Sequence, residues 1–275
     1  MSFGKRLHAV TEDRGPVCAG IDPHPALLRA WGLADDPAGL ERFALTAVAG
    51  LAPYVAVVKP QSAFFERHGS RGIAALERVV EQSRAAGALV LLDVKRGDIG
   101  STSQAYADAY LDQGSPLAVD AITASPFLGF GSLTPMVETA RAHGAGVFVL
   151  ALTSNPEGPS VQAARTVDGR TVAGQVLDAL RDLNAADAPH GSFGAVVGAT
   201  VGDTGEDLDI GGPLLAPGVG AQGGTPADIR RVFGPSAGQV LPSLSRELLA
   251  AGPEPRALRE AAQRAGDTFA GLRTG

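Results

Sequence analysis

Short apolar, β-branched runs alternate with amphipathic stretches along nearly the whole chain. The strand-like runs cover residues 17–21, 54–59, 88–95, 119–123, 146–152, 194–200, 214–216 and 239–241. Most are apolar at both odd and even positions, as parallel strands buried on both faces require. Helical periodicity occupies residues 38–51, 73–86, 101–111, 132–143, 172–186, 226–233 and 255–266. Eight strands alternating with helices predict an α/β fold, a single (β/α)8 TIM barrel spanning residues 1–275. A doubly wound sheet is the alternative, but no switch-point fingerprint opens the chain. The long connection after the fifth strand, about 156–192, contains the turn signal Asp168-Gly169 and reads as an insertion. Residues 201–212 read as a reduced sixth helix or a loop.

Composition narrows the classes. The chain of 275 residues is 45% hydrophobic and 19% charged, too apolar for a disordered polymer. A net charge of -6 argues against a nucleic-acid partner. No apolar run is long enough to span a bilayer, so no membrane partner is expected. Cys18, the one cysteine, has no internal partner for a disulfide, and the first residues turn acidic before any signal-like stretch; a cytoplasmic location is expected. The five histidines form no metal-ligand spacing, and no metal is expected. Only three of the 23 basic residues are lysine: Lys5, Lys59 and Lys95. Where lysine persists in an arginine-rich chain, a compact ammonium is the chemistry to look for.

In such a barrel, chemistry sits at the C-terminal strand ends. The polar residues there are Asp22, Lys59, Asp93, Lys95 with Asp98, Thr123, Thr153 with Ser154, Gln222, and Ser245 with Arg246. Asp93 and Lys95 are two apart on a strand and share its inward face. A buried acid and base side by side must be paired, because an isolated buried charge is very costly. Asp98 follows closely enough to join them, and Lys59 would face Lys95 from the neighbouring strand. This quartet exceeds what a supporting ion pair needs and points to a catalytic site. Thr123 receives no role.

Gly218, Gly220 and Gly223 spell G-x-G-x-x-G between a strand and a helix. The motif falls in the seventh unit, and no acidic residue follows where a ribose hydroxyl would be read, so a dinucleotide fingerprint is the weaker reading. A phosphate loop at this end of a barrel is the stronger one. Gln222 would donate an amide N–H to that phosphate, and Arg246 a bidentate contact. Asp22 would accept from a sugar hydroxyl or cap a helix. Ser154 and Asn155 would bond a planar polar ring or shape the turn before Pro156.

Taken together, these residues resemble the orotidine 5′-phosphate decarboxylase family. The carrying motif is D-x-K-x-x-D-I, here Asp93, Lys95, Asp98 and Ile99, continued by Thr102. The segments VVKP, GIDPHP, PGVGAQGG and Ser245-Arg246 fit the same family, and LTSNPEG with the long connection resembles a bacterial subgroup with enlarged loops. The resemblance implies a homodimeric barrel that converts orotidine 5′-monophosphate to UMP and CO2 without metal or organic cofactor. It implies that Lys59, Asp93 and Lys95 act from one subunit, with Asp98 and Thr102 reaching across the interface. Lys95 would protonate C6 of the pyrimidine and Asp93 would lie against the substrate carboxylate. Asp22, Lys59, Asp98 and Thr102 would hold ribose hydroxyls and the charge network. Ser154 would contact the pyrimidine, and Gln222 and Arg246 the phosphate.

Three rivals remain. A metal-dependent phosphosugar lyase would place an acidic ligand near the end of the second strand, where this chain has Lys59. A Schiff-base aldolase needs a lysine in an apolar setting, whereas Asp93 and Asp98 flank Lys95. A nucleotide-binding barrel without turnover has no use for the full lysine–aspartate set.

Overall fold

The computed structural model describes residues 1–220 and 223–272. Eight parallel strands close into a barrel in chain order: β1 (Cys18–Ile21), β2 (Val57–Pro60), β3 (Leu89–Arg96), β4 (Ala121–Ala124), β5 (Gly146–Leu152), β6 (Phe193–Val197), β7 (Leu214–Ala216) and β8 (Val240–Leu244). The helices are α1 (Phe3–Arg14), α2 (Pro25–Ala30), α3 (Pro37–Leu51), α4 (Ser62–Glu66), α5 (Gly69–Ala85), α6 (Gly100–Leu111), α7 (Thr134–His143), α8 (Pro159–Gln162), α9 (Val172–Asn184), α10 (Pro226–Phe233), α11 (Arg246–Leu249) and α12 (Pro255–Phe269). The predicted barrel is therefore the observed one. None of the described helices is long and apolar enough to cross a membrane.

Local chemistry explains the long outer helices. Asp36 caps α3 by accepting from the Gly39 N–H at 2.8 Å, and Pro37 occupies the first turn, where its missing N–H costs nothing. Thr225 and Asp228 form a reciprocal capping box at the start of α10. No helix joins β6 to β7. Asp203, Asp207 and Asp209 each accept a backbone N–H two residues on, so this segment satisfies itself through side-chain turns. The eighth strand runs past the expected end at 241 to Leu244, with Pro242 in register with Ala216. All five of its residues are buried, and that burial outweighs the N–H that Pro242 cannot offer.

Strand alternation divides the interior into layers. Cys18, Val57, Leu91, Ala121, Phe148, Val196, Leu215 and Leu241 pack together inside the barrel. Their outward neighbours, such as Ala19, Val58, Val90, Leu92 and Ile122, belong to the larger core beneath the helices. Phe3 and Leu7 of α1 join the inner cluster and close the N-terminal end of the barrel. The Phe3 and Phe148 rings meet edge-on at 5.9 Å. Gly146 and Gly194 make room for them: a Cβ would sit 2.5 Å from the Phe3 ring in one case and 2.4 Å from the Phe148 ring in the other. Residues two further along these strands point inward again, one layer higher, at the open C-terminal mouth. There the layer turns polar, with Lys59, Asp93, Thr123 and Ser243 all buried.

Asp120, 5% exposed at the foot of β4, ties the closed end together. It accepts from Arg6 at 2.5 Å, Arg84 at 3.2 Å and the Val90 N–H at 2.9 Å, joining α1, α5 and β3. Removing it strands a buried N–H and takes a counter-charge from the two guanidinium groups. Asp120→Ala is expected to cost roughly 2–4 kcal/mol in urea unfolding; a loss within the noise of the midpoint would refute this role.

Candidate active site

Asp93 is the hub of the mouth. Its Oδ1 accepts from Lys95 Nζ at 2.6 Å and Thr123 Oγ1 at 2.8 Å. Its Oδ2 accepts from Lys59 Nζ at 3.1 Å and Gln61 Nε2 at 2.9 Å. Four donors on two oxygens come from β2, β3, β4 and the residue after β2, so barrel closure assembles the cluster. Burial pushes the Asp93 carboxyl up, but the two ammoniums and the hydrogen bonds from Lys95 and Thr123 outweigh it and hold the group well below the usual carboxylate range. Burial alone would lower the pKa of Lys59; the carboxylates of Asp93 and Asp22 outweigh that and hold it above its ordinary value. Directly beneath, burial pushes the Cys18 thiol up to about 12, so it stays protonated.

The two lysines differ in access. The Lys59 side chain is 9% exposed and that of Lys95 is 47% exposed, so Lys95 presents its ammonium to the mouth far more openly than Lys59 does. Lys95 also has the one positive φ among non-glycine residues described, +46°. Its position coincides with a register shift between β3 and β4 over Leu92 to Arg96. A lysine in this region is strained and persists only where its surroundings hold it.

Asp22 lines a cavity of about 450 Å³ together with Gln61, Asp93 and Lys95. Its Oδ1 is buried with no hydrogen-bond partner among the described residues. The Ser245 hydroxyl is likewise buried with no partner among the described residues. Ser154 is exposed after β5 and packs beside Gly198 beyond the end of β6. Arg246 opens α11, exposed and with no ion pair among the described residues. It lines a cavity of about 790 Å³ with Gly220 and Gly223. Gly218, Gly220 and Gly223 have φ of +92°, +69° and +92°, which explains glycine at all three positions. The Gly220, Gly223 and Gly224 amides donate to carbonyls within the loop. Gln222 lies outside the described residues.

The expected four-membered charge cluster is corrected to three within the chain. Among the described residues the Asp98 side chain accepts from the Ile99 N–H alone, at 2.8 Å, and pairs with neither Lys59 nor Lys95. The backbone turns away after Lys95, with Gly97 pressed against the Ser125 carbonyl, where a Cβ would sit 2.3 Å away. Thr102 is exposed in the first turn of α6. Gln61 was not anticipated, although it stands two residues beyond Lys59 and so shares its inward face.

The family profile described as "Orotidine 5'-phosphate decarboxylase / HUMPS family" matches residues 15–261. The chain belongs to that family. It is 73% identical over 250 residues to the orotidine 5′-phosphate decarboxylase of Nocardioides sp. strain JS614, covering 90% of this chain and 91% of the relative. It is 66% identical to that of Salinispora tropica over 264 residues, covering 96% and 95%. A crystal structure from Streptomyces avermitilis, provisionally described as this decarboxylase, superposes with a TM-score of 0.97 at 59% identity, covering 100% of this chain and 96% of that one. Asp93 and Lys95 lie on the strained end of β3, and Asp98 and Ile99 follow just beyond it.

The depressed Asp93 carboxyl has a consequence for stability. Its folded-state pKa lies below the unfolded value, so its charge stabilises the fold above about pH 4, and the contribution fades as pH falls below that. Asp93→Asn, which leaves two lysines without their shared counter-charge, is expected to cost about 3 kcal/mol at pH 7. The deficit relative to wild type should narrow at pH 3 in urea unfolding; a deficit independent of pH would contradict the assignment.

Proposed function

We infer that this chain decarboxylates orotidine 5′-monophosphate to UMP and CO2, the last step of de novo UMP synthesis. The observation that carries the mechanism is the accessible Lys95 ammonium fixed against a buried, ionised Asp93 at the barrel mouth. As the bond from C6 to the carboxylate breaks, its electron pair stays on C6, with no adjacent electron sink. A preorganised ammonium stabilises that developing charge and then gives it a proton. The Lys95 amine regains a proton from solvent. Asp93, held ionised by its two lysines, stands against the substrate carboxylate and favours departure of CO2.

The remaining residues divide the substrate. Asp22, with its unpartnered buried oxygen, and Lys59 take ribose hydroxyls. Ser154 meets the pyrimidine. Gln222 and Arg246 take the 5′-phosphate, with Gly218, Gly220 and Gly223 supplying the loop that admits it. Since three loop amides are already bonded internally, Arg246 carries most of the phosphate recognition. Binding energy at this remote phosphate is available to the transition state at C6.

A homodimer completes the site in this reading. Asp98 and Thr102 come to the active site of the other subunit, which accounts for Asp98 pairing with neither lysine of its own chain. Ile99, Phe127 and Leu128, 62%, 77% and 52% exposed, lie beside Asp98 and in the loop after β4, an apolar surface that a second copy would cover. The metal-dependent phosphosugar reading is disfavoured by Lys59: an ammonium already seated on Asp93 occupies the place of an acidic ligand. The reaction is placed in the cytoplasm.

The direct experiment follows the ultraviolet absorbance of orotidine 5′-monophosphate with purified protein. Rapid loss, unchanged by EDTA, is expected from the wild type. Lys95→Ala should lose about 100-fold or more in kcat while UMP binding stays measurable; wild-type turnover in that variant would remove Lys95 as proton donor. For the shared site, mixing Lys95→Ala with Asp98→Ala should recover part of the activity, because some hybrid sites carry neither substitution. No recovery after verified subunit exchange would refute the crossing of Asp98.

A further inference from the structure

We propose that Thr123 is a positioning residue for the reaction, its hydroxyl fixing both the Lys95 backbone and the Asp93 carboxylate so that the Lys95 ammonium is held where it meets the substrate. This rests on the decarboxylase reading, in which Lys95 delivers the proton. Thr123 is 1% exposed and points into the barrel from β4. Its Oγ1 accepts the Lys95 N–H at 2.9 Å and donates to Asp93 Oδ1 at 2.8 Å. The same Oδ1 accepts Lys95 Nζ at 2.6 Å. The contacts form a closed ring: Lys95 backbone to Thr123, Thr123 to Asp93, Asp93 to Lys95 ammonium. A long, flexible, half-exposed side chain is thereby anchored at both ends.

The ring also explains why Lys95 keeps a backbone conformation that lysine disfavours. With φ at +46° within the register shift, the Lys95 N–H does not follow the regular β3–β4 ladder, and the threonine hydroxyl receives it instead. Without that acceptor, the strained conformation loses the hydrogen bond made by its own N–H, and the ammonium loses its fixed origin. A hydroxyl has one proton to donate, and here it is committed to Asp93 while the oxygen accepts from Lys95. Valine matches the shape of threonine and removes both bonds at once. Serine keeps both.

The test compares Thr123→Val with Thr123→Ser in steady-state turnover of orotidine 5′-monophosphate, alongside UMP affinity. For valine, kcat should fall by about 10-fold to 100-fold, with KM and UMP affinity changed by less than about threefold, the pattern of a lost transition-state alignment. Serine should restore kcat to within about threefold of wild type. A crystal structure of the valine variant should show Lys95 relaxed to negative φ. A valine variant within about twofold of wild-type kcat, a loss confined to KM, or a serine variant as slow as valine would each overturn the proposal. If valine prevents folding, Thr123→Ala and Thr123→Ser are compared instead, and equal kcat values overturn it. Failure of the decarboxylase reading is separately visible, as an inactive wild type or as an active Lys95→Ala.

Discussion

Two ammonium groups and one carboxylate occupy the mouth of the barrel, and the two buried ones, Asp93 and Lys59, would not be tolerated there alone. Asp93 lies 3.1 Å from Lys59 and 2.6 Å from Lys95. Desolvating Asp93 and Lys59 is expensive, and their mutual attraction, with hydrogen bonds from Thr123 and Gln61, offsets it. The result is a fixed electrostatic field rather than a set of individually placed side chains. Such a field needs no rearrangement when charge develops on a substrate, which is the property that electrostatic catalysis requires.

The barrel makes that field possible by separating apolar from polar layers. Along each strand, side chains alternate between the helix-covered outer core and the barrel axis. Near the bottom, the axis is filled by Phe148, Leu91 and their neighbours, with α1 as a plug. One inward position higher, the same strands present Lys59, Asp93 and Thr123. The lower layer removes water from beneath the charges, and the upper end leaves them open to a ligand. Lys95 stands at this boundary, tied to Asp93 yet half in solvent.

The strain at Lys95 belongs to the same design. A regular β3 would continue its ladder with β4 through this position. The register shift breaks the ladder, turns the backbone through a positive φ and sends the following residues outward toward Asp98. One irregularity therefore serves two ends, aiming an ammonium into the mouth and carrying a carboxylate away from it toward the exposed apolar surface at Ile99.

Much of this was legible in the chain itself. Eight buried strand runs between amphipathic helices specify the barrel, because parallel strands must be apolar on both faces. Period-two alternation put Asp93 and Lys95 on one face, and the scarcity of lysine singled out Lys59 and Lys95. Positive-φ turns explain the glycines of the seventh loop. Tertiary structure alone decided the rest. Thr123 and Gln61 reach Asp93 only because barrel closure fixes which strands are neighbours and in what register. Lys59 is buried and Lys95 accessible because one sits a layer deeper. Asp98 leaves its own cluster because the strand end is irregular, and the N–H groups of Gly220, Gly223 and Gly224 turn inward to bond the loop to itself. Local spacing determines which face a side chain takes; height within the barrel, register and hydrogen-bond partner depend on residues distant in sequence, and those are settled only when the barrel closes.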